Sequence, residues 1–141
     1  MAESLKKLKE LFDLKDADLR TYSPLVLAYI GDGIYELVIR TAVVGQGNRQ
    51  ANALHKKTST YVKASAQAAM MEAILEDLTE EELAVYKRGR NAKTVSMAKH
   101  ATMHDYRHAT GFEALMGYLY LKEDFSRILE LVHAGLEKEE I

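Results

Sequence analysis

SPLVLAYIGDGIYELVIRTAVV, Ser23–Val44, is the stretch on which the fold is read. At roughly 3.6 residues per turn it makes a helix of about six turns. Ser23 followed by Pro24 reads as an N-cap with proline at the first helical position, where its missing N–H costs nothing. From Leu25 to Val44 the residues are apolar on nearly every face, and such a helix is expected to be buried. Into it the chain places Asp32 and Glu36, with Gly31 and Gly33 flanking Asp32. A carboxylate in apolar surroundings is costly unless a cation or hydrogen-bond donors meet it. A glycine inside a helix costs about 1 kcal/mol against alanine. Two glycines around one acid predict that something approaches this backbone closely.

Outward from this helix the pattern stays helical. Residues 3–13 fit a short amphipathic helix with Leu5, Leu8, Leu11 and Phe12 on one side. A polar connector with a turn near Asp16–Arg20 leads to Ser23. GQGNRQ (45–50) is a loop, because glycine and asparagine serve the left-handed conformations of turns. Residues 50–77 are alanine-rich and helical, with any break expected near Val62–Ala66. Thr79-x-x-Glu82 is a capping box that opens the next helix, and Gly89 is the expected stop. Residues 92–104 show no period and read as a loop. Asp105 or Thr110 begins a helix through FEALMGYLYL to Leu121. Asp124 caps a last amphipathic helix carrying Phe125, Ile128, Leu129, Val132 and Leu136 at helical spacing. No clean alternation of a strand occurs. The expectation is an all-α bundle and a single domain, 1–141: an N-terminal helix and connector (1–21), a core (22–135) and a tail (136–141).

The composition narrows the chemistry. An apolar fraction of 48% suffices for one core, and the absence of cysteine removes disulfides and thiolate metal sites. The long helix is interrupted by charges, so no membrane span is expected, and the amino terminus lacks a signal-peptide pattern. A cytoplasmic protein follows. The net charge of −2 averages unlike parts. Arg49–Lys63 carries +4 and Lys87–His108 carries +5, leaving −11 on the remainder. Such segregation points to a local anionic partner. No phosphate-cradling G-x-x-x-x-G-K-[ST] loop occurs, so no nucleotide cofactor is expected.

A second internal acid, Glu113, stands in another apolar segment with small residues at Gly111, Ala114 and Gly117. Small residues let helix backbones approach. If this helix packs on the first, Glu113 and Asp32 share a pocket and repel when both ionise. Magnesium relieves that conflict and is held by carboxylates and waters. It would activate water and stabilise charge on a phosphate. The alternative is that both acids cap or pair with nearby Lys and Arg as structural ions. Glu36 lies one turn after Asp32, on the same face, and reads equally as a further metal-shell carboxylate or as the ion-pair partner of Arg40 four residues later. Arg88, Arg90, Asn91 and Lys93 in KRGRNAK, with Lys56 and Lys57, offer phosphate-binding groups. His100, His104 and His108, spaced by four, read as phosphate contacts or plain surface rather than a zinc site. Tyr61, Tyr86, Tyr106, Tyr118 and Tyr120 read as core or interface residues.

LAYIGDGIYELVIR (27–40) resembles the signature helix of the ribonuclease III catalytic domain, and TGFEALMGYLYL (110–121) resembles that family's second acidic motif. With LHKK (54–57), KRGRNAK (87–93) and YRHATGFEALMGYLYL (106–121), the likeness is to its short Mini-ribonuclease III branch, over about residues 22–135. The resemblance implies a dimeric all-α endonuclease that cuts both strands of double-stranded RNA with magnesium. It implies no appended double-stranded-RNA-binding domain, and a role in maturing the large-subunit (23S) ribosomal RNA precursor at a double-stranded stem. Asp32 matches the signature aspartate and Glu113 the final glutamate, as catalytic and metal-binding residues. Two acidic positions of the larger family are neutral here, Ala28 and Thr110, which puts the number of metals in question. A catalytically inactive RNA-binding module of the same fold is the competing reading. A helical interaction protein whose basic segment meets an acidic partner is a third.

Overall fold

Ser23 caps the long helix: its Oγ accepts the Leu25 amide at 3.2 Å, and Pro24 opens a helix that runs to Gly45. In the computed structural model, which describes residues 2–92 and 102–139, this helix is α2. The others are α1 (Ala2–Leu11), α3 (Ala51–Val62), α4 (Ala64–Ile74), α5 (Glu80–Arg90), α6 (Met103–Leu121) and α7 (Phe125–Glu139). No strand occurs among the described residues, so the all-α expectation holds. The break between α3 and α4 falls at Lys63, inside the expected window. The Thr79 capping box forms in both directions, and Asp124 Oδ1 accepts the Arg127 amide at 3.2 Å to start α7.

Three boundaries differ from expectation. The connector's turn forms at Leu19–Thr21, slightly late. Thr102 begins α6 by accepting the Asp105 amide at 3.0 Å, so neither Asp105 nor Thr110 is the start. Thr110 sits inside the helix and donates to the Tyr106 carbonyl at 2.9 Å. The polar opening MHDYRH has no apolar stripe to announce it. Gly89 does not stop α5, which runs on to Arg90. A Cβ there would lie 2.8 Å from the Ala114 Cβ and 2.9 Å from the Gly111 Cα. Gly89 is a close-packing residue against α6, and Arg88 and Arg90 belong to the helix rather than to a loop.

The buried axis is α6, not α2. From Ala109 to Leu119 every residue except Glu113 is buried, and α2, α4, α5 and α7 all pack on this helix. Tyr35 of α2 meets Phe112 of α6 edge to face, with ring centroids 4.9 Å apart. The Tyr35 hydroxyl donates to the Tyr61 carbonyl at 2.9 Å, tying α2 to the end of α3. The other face of α2 is bare: Val26, Tyr29, Leu37 and Val44 are exposed, Tyr29 at 83%. The expectation of burial on all sides is therefore corrected. In α1, Leu5 is buried but Leu8, Leu11 and Phe12 are exposed, so that stripe is mostly uncovered too.

α2 and α6 cross at two glycines. A Cβ on Gly31 would lie 1.7 Å from the Glu113 carbonyl oxygen, and one on Gly117 1.9 Å from the Leu27 carbonyl oxygen. Gly33 has nothing within 4 Å. One of the two glycines flanking Asp32 therefore serves the close approach that was expected.

A buried ion pair ties α7 to α5. Arg127 Nε and Nη2 donate to the two Glu82 carboxylate oxygens at 2.8 and 2.9 Å, and Nη2 also reaches the Asp77 carbonyl at 2.8 Å. Burial raises the Glu82 pKa, but the bonds from Arg127 and the Thr79 amide outweigh it and the net shift is downward. Arg127→Met leaves this carboxylate buried without its cation. The expected loss is about 3 kcal/mol near neutral pH. A carboxyl with a lowered folded pKa stabilises above its unfolded pKa and ceases to as pH falls through the folded one. The gap from wild type in urea unfolding should therefore close in acid.

Candidate active site

Beside the glycine crossing lies an open cavity of about 530 Å³, and Asp32 and Glu113 both line it. Gly31 and Gly117 bring the two backbones into contact, and that sets α2's acid against α6's. Asp32 is exposed at the cavity, while Glu113 is half-buried. Both acids were expected to be internal; Asp32 is not, because the face of α2 that carries it is uncovered. Burial, and then the hydrogen bond and negative charge of Asp32, push the Glu113 carboxyl up to about 8, while the Gln67 amide acts in the opposite sense. No Lys or Arg is paired with either acid among the described ion pairs, so the structural-ion alternative finds no partner here.

Ala28 and Thr110, the two neutral positions, line the same cavity, as do Tyr29 and Tyr106. All four positions singled out by the two motifs thus meet at one place. No cluster of three or more His, Cys, Asp or Glu side chains gathers among the described residues. The donor set is a pair of carboxylates, which fits a hard, well-hydrated divalent cation that keeps several waters. It does not fit a softer ion that needs nitrogen or sulfur ligands. Tyr106 was expected to be a core or interface residue, and its place on the cavity wall was missed. It carries no sequence signal, since it stands in an ordinary helical position.

The remaining predicted residues lie elsewhere. Glu36 pairs with Arg40 at 2.9 Å, as its spacing suggested, and does not line the cavity. Lys56 and Lys57 sit on α3. Arg88 Nη2 donates to the Tyr22 carbonyl at 3.1 Å, which holds the connector before α2. Arg90 lies over the Tyr86 ring, 5.6 Å from its centroid, and its Nε donates to Asn91 Oδ1 at 3.2 Å. None of these basic residues lines the cavity of Asp32 and Glu113. His108 Nδ1 bonds the His104 carbonyl at 2.9 Å, and the two imidazole rings stand 4.0 Å apart. Lys93 and His100 lie outside the described residues.

Fold and site together define an all-helical domain with two carboxylates lining one cavity where two glycine-bearing helices cross. Comparison with known proteins gives the particular family. Residues 25–124 match the model of the ribonuclease III domain. Among curated relatives, a Mini-ribonuclease 3 of Enterococcus faecalis is 49% identical, covering 86% of this chain and 93% of its own. A Mini-ribonuclease 3 of Brevibacillus brevis is 51% identical, over 78% of this chain and 82% of its own. A solved structure of a Fusobacterium nucleatum protein superposes with a TM-score of 0.77 at 34% identity, covering 86% of this chain and 98% of that one. The chain belongs to the ribonuclease III family, and it is an endoribonuclease.

Proposed function

We propose that this endoribonuclease cuts both strands of double-stranded RNA with magnesium, as a homodimer, in maturation of the 23S ribosomal RNA precursor. The observation that carries the reading is the meeting of Asp32 and Glu113 in one open cavity. Asp32 and Glu113 hold the cation. Magnesium bound there supplies the charge that stabilises a phosphodiester under attack and lowers the pKa of water. The raised pKa of Glu113 supports this, since a nearby cation favours the ionised carboxyl that burial and Asp32 oppose. Tyr29 and Tyr106 bring phenol groups to the cavity wall, where a backbone phosphate would lie.

The bare apolar face of α2, with Val26, Tyr29, Leu37 and Val44, supports a second copy of the chain packing there. Two copies would present two carboxylate pairs to one duplex, one for each strand. Lys56, Lys57, Arg90, Asn91 and Lys93 grip phosphates and ribose hydroxyls, by which RNA duplexes are mostly recognised; Arg88 is partly engaged by Tyr22. Action in the cytoplasm accords with a helical chain in which no described helix is long and apolar enough to cross a membrane.

The test is cleavage of a long RNA duplex against either strand alone, with magnesium and with EDTA. Staggered cutting of the duplex, with magnesium only, is the expected result. Binding without cutting would favour the inactive-module reading, for which the neutral side chains of Ala28 and Thr110 speak. Affinity should fall steeply with salt. Replacing both Lys56 and Lys57 by Ala should reduce the slope of log K against log salt by about 2. An unchanged slope would remove α3 from the RNA-binding surface.

A further inference from the structure

Few of the side chains that line the cavity of Asp32 and Glu113 can donate a hydrogen bond. The aliphatic ones have no polar atom, and ionised carboxylates only accept. The Thr110 hydroxyl is spent, since it donates to the Tyr106 carbonyl at 2.9 Å. Among the described residues no Lys or Arg lines the wall. The phenols of Tyr29 and Tyr106 remain. Tyr29 is 83% exposed on the bare face of α2, whereas Tyr106 is half-buried. Ordering the Tyr106 ring against a ligand therefore costs less, because its freedom is already restricted.

Tyr106 and Glu113 both stand on α6, about two turns apart and on one face of the helix. At about 1.5 Å per residue they are separated by roughly 10 Å along the axis. Helical side chains lean toward the start of their helix, which carries the phenol further from the acid. A strand whose phosphate lies at Asp32 and Glu113 therefore meets Tyr106 beside that phosphate and not on it. The character of the wall says which group is met. Two acids and no protein cation make it a poor seat for a second anion. A phenol both donates and accepts a hydrogen bond. So does a ribose 2′-hydroxyl, the group by which a protein tells RNA from DNA.

We propose that Tyr106 is a specificity-determining residue: its phenol hydrogen-bonds the ribose 2′-hydroxyl of a nucleotide beside the phosphate under attack. The proposal rests on the reading that this cavity cuts double-stranded RNA. One hydrogen bond between uncharged groups is worth about 3- to 10-fold in rate.

The test uses the full-length protein and one RNA duplex, cut under single-turnover conditions with magnesium. A single 2′-deoxy substitution is walked through the nucleotides on either side of the cut. The proteins are wild type, Tyr106→Phe and Tyr29→Phe. On the all-ribose duplex Tyr106→Phe should be slower by about 3- to 10-fold, and Tyr29→Phe should stay within about 2-fold of wild type. At one position the deoxy substitution should slow wild type by the same factor and Tyr106→Phe no further. At every other position Tyr106→Phe should keep its full deficit. A rate for Tyr106→Phe within about 2-fold of wild type on the all-ribose duplex would overturn the proposal. So would a deficit that persists at every deoxy position, since the phenol would then act on something other than a 2′-hydroxyl. Should Tyr106→Phe fail to fold, the fluorine resonance of 3-fluorotyrosine at position 106 decides. With Asp32→Asn holding the duplex uncut, it should move on binding the all-ribose duplex and move less when one flanking nucleotide is deoxy; a shift indifferent to every deoxy substitution refutes the contact. If wild type cuts no RNA duplex at all, it is the double-stranded RNA reading that fails.

Discussion

Asp32→Asn is expected to lose cleavage by about 10³-fold or more and, without metal, to unfold at a higher temperature than wild type. The loss follows from removing one of two carboxylates, because several kcal/mol of charge stabilisation depend on the cation they hold. The gain follows from Glu113. Its carboxyl is raised from an ordinary value near 4.5 to about 8, by burial first and then by Asp32. Between those values the folded protein keeps a proton that the unfolded chain has released. Stability therefore falls as pH rises through that window and levels off above it. Asparagine removes the negative charge but not the burial, so the cost is relieved only in part, by about 1 kcal/mol or more. Thermal unfolding in EDTA at pH 5 and pH 8.5 reads this directly: the advantage of Asp32→Asn should appear at the higher pH and shrink at the lower. Magnesium should stabilise wild type at pH 8.5 and the variant far less. Cleavage by the variant within tenfold of wild type at saturating magnesium would remove Asp32 from the centre.

Gly31→Ala and Gly117→Ala are each expected to cost more than about 4 kcal/mol, a size reserved for changes the packing cannot absorb. The new methyl on residue 31 would sit 1.7 Å from a backbone oxygen of α6, and that on residue 117 1.9 Å from one of α2. No rotamer relieves a clash between Cβ and a carbonyl, so the helices must part, and the distance between Asp32 and Glu113 opens with them. Gly33→Ala is the control on the same turn. With nothing within 4 Å, its methyl should stabilise the isolated chain by about 1 kcal/mol through helix propensity. If a second copy covers this face of α2, the same methyl weakens the dimer instead, and sedimentation over a range of concentrations separates the two outcomes. Denaturation of Gly31→Ala within 1 kcal/mol of wild type would mean that the helices do not cross as described.

Much of the fold was legible because its signals are local. Ser23-Pro24, the Thr79 capping box, Asp124 and the break near Lys63 are each decided within a few residues by hydrogen bonds to nearby amides or by the loss of them. Asp32 and Glu113 stood out because an acid in an apolar helix is anomalous on sight. Thr102 was missed because the segment it caps has no apolar period. Gly89 was misread because a glycine that ends a helix and one that lets a neighbour approach look alike in one dimension.

The sequence by itself determined the helices, most of their ends, and the two acids worth pairing. Only the tertiary structure decided which helix is buried and which of the acids is. Hydropathy reports that a face is apolar, but whether it is covered depends on partners far along the chain or on another chain. α6 is enclosed by four helices, whereas α2 keeps Tyr29 and Leu37 bare. The raised pKa of Glu113 has the same origin, since desolvation and the charge of Asp32 act through space.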